Sequence, residues 1–347
     1  MKGSLKLQSD HIFEGIFLNR SQKCSGDIVY YTGMSNFQSF LSDPALKGKI
    51  VVCTYTNLLH TKLNKDGFES EDIQAKALIT QQKIASTDIQ KGSLADYCIA
   101  SNIPVLMDVD TRSVMKQLRL NGEMTAQVSS SLQVEKIFVA EKNSSEYSSN
   151  MILNPDGETH IVVVNFGVKK SLLTWLLQAN AKITIVSPHQ SLDTIETIKP
   201  NGLVFSGGPG HPDDYQDNFQ VYKQLCETYP TIGFGLGHQI IAMMYGAHVT
   251  KLKHGHRSFK HPIIHVESNK VYLTNQNHSF DIELGHSDWQ TTFKSVQDGS
   301  MEGMSHKYLP IQSYQFHING QNIQFEKELL ASFQLQMKEN EGVYIYA

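Results

Sequence analysis

The sequence has 347 residues, enough for two or three domains with hydrophobic cores of their own. Hydrophobic residues make up 40% of it, which excludes an intrinsically disordered chain. The formal net charge of −4 offers no excess of basic residues for nucleic acid or an anionic membrane. Neither partner is therefore expected.

Cysteine usage and hydropathy indicate a cytoplasmic protein. The four cysteines are scattered without a C-x-x-C pair, which is typical of reduced thiols rather than disulfides or zinc ligands. No stretch approaches the roughly 20 apolar residues that cross a bilayer. The first 17 residues contain no apolar run typical of a signal peptide.

The first part of the chain predicts one α/β domain over residues 1–140. Short β-rich runs at 27–31 and 49–55 are followed by predicted helices at 93–100 and 111–120, with a strand at 103–107.

Residues 141–160 are polar and serine-rich and predict a linker, so that a second domain would span 161–347. This domain alternates strands and helices, which predicts a mostly parallel sheet with helices on both faces. The predicted strands are 161–165, 182–187, 203–206 and 231–234, with helices at 169–179, 192–199, 214–229 and 238–245. Further runs at 249–253, 263–266 and 271–273 predict antiparallel strands.

The stretch TIGFGLGHQIIAMMYG, residues 231–246, is the most informative in the chain. A buried strand, a tight Gly235-Leu236-Gly237 turn and a helix ending at Gly246 predict a nucleophile elbow. The alternative is an ordinary strand-to-helix turn. A dinucleotide fingerprint is excluded because its third glycine would come one residue after Gly237.

This stretch resembles G-I-C-L-G-H-Q, the elbow of class I glutamine amidotransferases, whose middle residue is the nucleophilic cysteine. Gly235 stands at that position, so the thiol is missing. Two N-terminal phrases, at 26–55 and 93–122, resemble the small subunit of carbamoyl phosphate synthetase. The resemblance covers nearly the whole chain. It implies a large-subunit partner, which would bind ATP and a divalent metal, and no cofactor in this chain.

Further site residues follow from the resemblance alone. The loop at 206–212 resembles S-N-G-P-G-D-P, which helps to form the oxyanion hole and the glutamine site. Residues expected to contact substrate are Gly208, Gly210, Leu236 (through its N–H), Gln239, Asn277, Ser279 and Phe280. His317 aligns with the general base and Asn319 with the glutamate that orients it.

Several positions depart from the family pattern. Besides Gly235, the orienting glutamate is replaced by Asn319, and Ala45 replaces a serine that contacts glutamine. Gly207 stands in place of asparagine and His211 in place of aspartate; Ser279 replaces a glycine.

The histidine-rich run at 254–265 raises the question of a metal site. It contains His254, His256, His261 and His265 but no acidic residue. The corresponding family segment is not a metal site, so none is expected.

The resemblance implies a subunit whose family hydrolyses L-glutamine and passes ammonia to the large subunit for carbamoyl phosphate synthesis, in arginine or pyrimidine biosynthesis. Loss of a nucleophile lowers the rate about 10⁶-fold in a comparable hydrolase, so we expect an impaired glutaminase. One alternative is a non-catalytic regulatory module that binds a small molecule in the remnant pocket. Another is hydrolysis by water that His317 activates.

Overall fold

The computed structural model describes residues 1–19, 23–130, 151–285 and 287–344, and of 341–344 only the backbone. The chain divides into two compact units. One comprises Met1–Asn143 with Leu252–Ser258, and the other comprises Ser144–Lys251 with Phe259–Ala347.

The first unit is built on a closed barrel whose strand order is β1-β2-β6-β5-β4-β3-β7. Its strands are β1 Lys2–Leu7, β2 Ile12–Phe17, β3 Cys24–Tyr31, β4 Ile50–Cys53, β5 Ala77–Thr80, β6 Val105–Met107 and β7 Met124–Ser129. Its helices are α1 Phe37–Leu41, α2 Leu94–Ala100 and α3 Thr111–Asn121. Strands β3 to β6 pair in parallel, and antiparallel pairing of β1 with β7 closes the barrel.

Alternate residues of the barrel strands form its core. Leu5 and Leu7 of β1 pack with Ile28 of β3 and with Ile50 and Val52 of β4. The sequence predicted β3, β4, β6, α2 and α3. It missed β1, β2, β5, β7 and α1.

The second unit is built on a ten-stranded sheet in the order β14-β13-β15-β16-β17-β12-β11-β9-β10-β8, although Leu252–Ser258 of β13 belong to the first unit. These strands are β8 Met151–Leu153, β9 Thr159–Val164, β10 Ala181–Val186, β11 Gly202–Phe205, β12 Thr231–Phe234, β13 His248–His265, β14 Val271–Glu283, β15 Trp289–Ser295, β16 Met301–His306 and β17 Ile311–Tyr314. The helices are α4 Lys170–Leu177, α5 Leu192–Ile198, α6 Phe219–Thr228, α7 Leu236–Met244 and α8 Ile323–Tyr344.

The centre of this sheet is parallel and covered on both faces. Strands β10, β9, β11, β12 and β17 pair in parallel. Ile161 and Val163 pack on the face that α4 and α8 cover, whereas Val162 and Val164 pack on the face of α5, α6 and α7. This confirms the predicted mostly parallel, helix-flanked sheet.

Residues 141–150 of the predicted linker lie outside the described residues. The remainder differs from the prediction, because Met151–Leu153 is the edge strand β8, antiparallel to β10, and Thr159–Val164 begins β9 at residue 159. The polar residues at 154–160 hid these strands, whose pairing partners in β10 lie 22 to 34 residues further along. The predicted strands at 249–253 and 263–266 are parts of one long strand, β13. None of the described helices combines the length and the apolar character needed to cross a membrane.

A buried ion pair lies within the first unit. Both terminal guanidinium nitrogens of Arg257 donate to the carboxylate of Glu123, with Nη2 3.3 Å from Oε2, and the two side chains are 2% and 3% exposed. The backbone N–H of Gly255 donates to the same carboxylate at 3.1 Å. The pKa of the neighbouring Lys49 is lowered to about 8, first by burial and then by the Arg257 charge, with the Glu123 charge opposing both.

Replacing Glu123 by glutamine leaves the buried Arg257 charge without its carboxylate partner. We expect Glu123→Gln to lower the free energy of unfolding of the first unit by roughly 3–5 kcal/mol. Hydrogen exchange of the barrel amides measures this. The matched control, Asp108→Asn, removes the carboxylate from the exposed Lys83–Asp108 pair and should cost less than about 1 kcal/mol. Equal protection in the two variants would contradict the expectation.

Candidate active site

A sharp turn joins β12 to α7 at the carboxyl edge of the parallel strands. Gly235 occupies it with φ 51° and ψ −113°, a conformation that strains residues with a side chain. Its N–H donates to the carbonyl of Tyr314 at 2.9 Å, and its own carbonyl accepts from the N–H of Gln239 at 3.1 Å. The predicted strand, turn and helix are confirmed, with the helix starting at Leu236 rather than at His238. As the first residue of α7, Leu236 has an N–H without a partner inside the helix.

The imidazole of His317 lies directly against Gly235. A Cβ atom built on Gly235 would be 2.6 Å from His317 Cε1 and 3.4 Å from Nε2. A Cβ built on Gly207 would be 2.9 Å from the same Cε1. The His317 backbone N–H donates to the carbonyl of Asn275 in β14 at 2.9 Å, which fixes this segment beside the elbow. One ring thus occupies the space above two glycines, and a thiol at 235 would require it to shift.

Asn319 is not joined to His317 by a hydrogen bond. Its Oδ1 accepts from the N–H of Gln321 at 3.2 Å, and its buried Nδ2 has no partner among the described residues. The backbone N–H groups of Asn319 and Gly320 donate to the carboxylate of Glu326 in α8. Asn319 therefore takes part in a local turn and does not orient the imidazole.

Two side chains of α7 are engaged by β17 and the segment after it. Gln239 Nε2 donates to Gln315 Oε1 at 3.1 Å, and both residues are buried. His238 Nδ1 lies 2.8 Å from Ser313 Oγ, and its Nε2 is buried without a partner among the described residues. Burial lowers the pKa of His238 to about 3, so this imidazole is neutral.

The glycine-rich loop at 206–212 is packed closely against its surroundings. A Cβ on Gly208 would come within 2.1 Å of the Phe166 carbonyl oxygen, so only glycine fits there. Gly210 has φ 98°. His211 contacts the ring of Phe280 edge to face, with ring centroids 4.8 Å apart. The structure thus brings this loop together with β14.

Residues 276–280 were expected to form a substrate-contact loop, but they lie inside strand β14. Asn277 and Ser279 are 4% and 5% exposed. The local sequence QNHSF lacks β-branched residues, and pairing within the long β13–β14 edge of the sheet overrides that local preference.

A buried carboxylate beside these residues was missed. Glu302 of β16 is fully buried, accepts from Gln276 Nε2 at 2.6 Å, and has Oε1 3.6 Å from His278 Nε2. His278 Nδ1 is 2.8 Å from the carbonyl of Phe280, which can only accept, so Nδ1 carries a proton. The available signal was an acidic residue inside the otherwise apolar strand Met301-Glu302-Gly303-Met304.

Ala45 lies in the first unit. It is 6% exposed and forms part of the 3₁₀ turn Pro44–Leu46, where its N–H donates to Asp43 Oδ1 at 3.0 Å.

Comparisons with known proteins match nearly the whole chain to a single family. A family model described as glutamine amidotransferase class-I matches residues 162–337, and one described as carbamoyl-phosphate synthase small chain, CPSase domain, matches residues 5–128. A carbamoyl phosphate synthase arginine-specific small chain of Halalkalibacterium halodurans is 38% identical over 91% of this chain and 91% of its own length.

The chain belongs to the carbamoyl phosphate synthase small-chain family. Two further relatives come from Bacillus subtilis. An arginine-specific small chain is 37% identical and a pyrimidine-specific small chain 30% identical; each match covers 91% of this chain and 91% or 90% of the relative.

Within this family fold, no cysteine replaces the thiol that the resemblance expects at position 235. Burial raises the pKa of Cys226 in α6 to about 12, that of Cys53 to about 12 and that of Cys24 to about 11. Burial also raises the pKa of Cys98. A thiol with so high a pKa supplies almost no thiolate near neutral pH.

His238 should make the second unit sensitive to acid. Its pKa is about 3 when folded and near 6.5 when unfolded. Between these pH values His238 binds a proton in the unfolded chain but not in the folded one. The contribution of His238 to stability is therefore fully present above pH 6.5 and is lost as the pH drops toward 3.

Between pH 7 and pH 5, we expect the free energy of unfolding to fall by roughly 2 kcal/mol less in the His238→Gln variant than in the unmodified chain. Urea unfolding followed by tryptophan fluorescence reports on this unit, since Trp175 and Trp289 both belong to it. His254→Gln, which changes an exposed histidine, is the control. Identical pH slopes in both variants would show that His238 does not carry the effect.

Proposed function

We propose that this chain is the small chain of a carbamoyl phosphate synthase that no longer hydrolyses glutamine. The observation that carries the proposal is Gly235, which has no side chain at the elbow and has the His317 ring against its Cα. The family membership supports the role as a small chain. By analogy with the named relatives, we propose a large chain as partner and a place in arginine or pyrimidine synthesis, in the cytoplasm.

In this proposal the chain lacks a second catalytic group besides the thiol nucleophile. In acyl transfer through a thiol, the base takes the thiol proton and later protonates the leaving ammonia, while a carboxylate fixes its tautomer. Here the base position, His317, has neither a thiol to deprotonate nor a hydrogen bond to Asn319. Removal of a nucleophile or base from a comparable triad lowers kcat about 10⁶-fold.

Water activated by His317 is a poor substitute for the thiol. Such a mechanism needs an imidazole held in one tautomer and a space for water between the ring and the amide. The ring lies against Gly235 and Gly207 instead, where a Cβ would be 2.6 Å and 2.9 Å from Cε1. We therefore propose that the large chain uses free ammonia, with bicarbonate and ATP, and that ATP and its divalent metal bind there.

The deciding assay measures glutamate release and carbamoyl phosphate formation by the chain mixed with a carbamoyl phosphate synthase large chain. We expect no glutamate release above background, and carbamoyl phosphate only when ammonium is supplied. Gly235→Cys should restore slow release, and Gly235→Cys with Asn319→Glu should release glutamate faster, because the added carboxylate can orient His317.

Cys226→Ala is the control and should change nothing, since that thiol is buried in α6. Glutamate release by the unmodified chain at a rate near that of the Gly235→Cys variant would refute the loss of hydrolysis. Failure of the chain to bind or assist any large chain would refute the subunit role.

A second candidate function is small-molecule binding without hydrolysis. It is favoured by the start of α7 at Leu236, whose N–H has no partner inside the helix, and by the edge-to-face contact between His211 and Phe280, which brings the loop at 206–212 to β14. Because Gln239 must leave Gln315 to contact a ligand, binding should be weak.

Calorimetry with L-glutamine tests this candidate. Heat of binding that disappears in the Asn277→Ala variant, but persists in a variant of an exposed amide such as Gln290→Ala, would support it. Absence of any binding heat would exclude it, without bearing on the subunit role.

A further inference from the structure

The second unit contains a pocket of about 360 Å³ at the carboxyl end of α7. Its walls include Lys223 of α6, Met244 and Tyr245 at the end of α7, Asp288 and Trp289 at the start of β15, and His306 at the end of β16. Gly235 lies at the opposite end of this nine-residue helix, about 13 Å away along its axis. The pocket is therefore separate from the candidate active site, and the proposed function makes no use of it.

Three aromatic rings line one side of the pocket. The centroids of Tyr245 and Trp289 are 5.2 Å apart, and those of Trp289 and His306 are 4.9 Å apart, both edge to face. Tyr245 and His306 are 5.9 Å apart. Rings held in this way form a rigid apolar wall, because each fixes the orientation of the next. Such a wall suits a planar ligand that can stack or pack edge to face.

The polar groups of the pocket are mainly hydrogen-bond donors. His306 Nδ1 accepts from the N–H groups of Tyr308 and Leu309, at 3.2 Å and 3.0 Å. The proton of the neutral ring therefore lies on Nε2, which makes no hydrogen bond in the described structure. The indole N–H of Trp289 and the ammonium of Lys223 likewise have no hydrogen-bond partner among the described residues.

The position that a ligand cation would take is already filled. The Lys223 ammonium lies 5.2 Å from the centroid of the Tyr245 ring, which is within cation–π distance. A second cation would have to displace it or approach it closely. The wall also contains one exposed carboxylate, that of Asp288. Burial lowers the pKa of His306 and the Asp288 charge opposes this, so Asp288 lies near His306 and a bound anion would have to be held on the Lys223 side of the pocket.

We propose that this pocket binds a small planar anion, an aromatic or heteroaromatic ring bearing a carboxylate. The ring would lie against Tyr245, Trp289 and His306, and the carboxylate would accept from Lys223 and from one of the two ring N–H donors. A volume of about 360 Å³ is at the lower end of the range for small-molecule sites, which suits a ligand of one or two rings.

The fluorescence of Trp289 provides a direct test. The chain has two tryptophans, and Trp175 is in the core with its indole N–H bonded to the Glu326 carbonyl at 2.9 Å. In the Trp175→Phe variant, all tryptophan fluorescence comes from Trp289 and therefore reports on ligand binding in the pocket. The probes are nicotinate, its neutral analogue nicotinamide, inorganic phosphate, and the ring-methylated cation 1-methylnicotinamide (N-methylnicotinamide). Calorimetry on the unmodified chain repeats the titrations in case Trp175→Phe unfolds the second unit.

We expect nicotinate to bind at least about tenfold more tightly than the other three probes. Lys223→Met should weaken nicotinate binding about tenfold and leave nicotinamide unchanged. Lys294→Met, which removes an exposed lysine outside the pocket, should change neither.

Four results would overturn the proposal. The first is that nicotinate shows no saturable binding at millimolar concentration, and the second is that N-methylnicotinamide binds more tightly than nicotinate. The third is that phosphate binds as tightly as nicotinate, and the fourth is that Lys223→Met leaves nicotinate binding unchanged. The third would show that the rings contribute nothing, and the fourth that the charge contributes nothing.

Discussion

The backbone turn at Gly235 is fixed by two hydrogen bonds that do not involve any side chain. Its N–H is bound to the carbonyl of Tyr314 in β17, and its carbonyl receives the N–H of Gln239 in α7. The parallel pairing of β12 with β17 sets the first bond, and the first turn of α7 sets the second. An elbow held by backbone groups keeps its shape when the residue at its apex changes. The fold therefore accommodates glycine at this position.

Two replacements that look independent in the sequence meet in the structure. Gly235 and Gly207 are 28 positions apart, yet the imidazole of His317 lies against both. Side chains at these positions would push the ring away, and their absence lets it settle there. Packing thereby provides one physical reason for both glycines. A side chain restored at 235 would therefore require the His317 ring to shift.

The sequence predicted those features that depend on local pattern. Alternating βα units gave the parallel centre of the second unit, and the Gly235-Leu236-Gly237 run gave the elbow. Features that depend on distant pairing were missed: closure of the barrel through β1 and β7, the edge strand β8, and the strand character of 276–280. The direction of an amide cannot be predicted from sequence, so neither the bond from Gln239 to Gln315 nor the local turn of Asn319 could be anticipated. The buried Glu302 was visible as an anomaly, but its partners Gln276 and His278 were not.

Several polar side chains in the segments that resemble a glutamine site bond to neighbouring side chains here. Gln239 bonds Gln315, His238 bonds Ser313, and Gln276 bonds Glu302. A buried polar group that loses its partner costs about 1–3 kcal/mol, so such pairs are retained for stability even when no substrate uses them. Their presence is therefore weak evidence for catalysis. In the function that we propose, the groups missing from this chain are a thiol above the elbow and a carboxylate behind the imidazole. At these two positions the chain has Gly235 and an Asn319 turned toward Gln321.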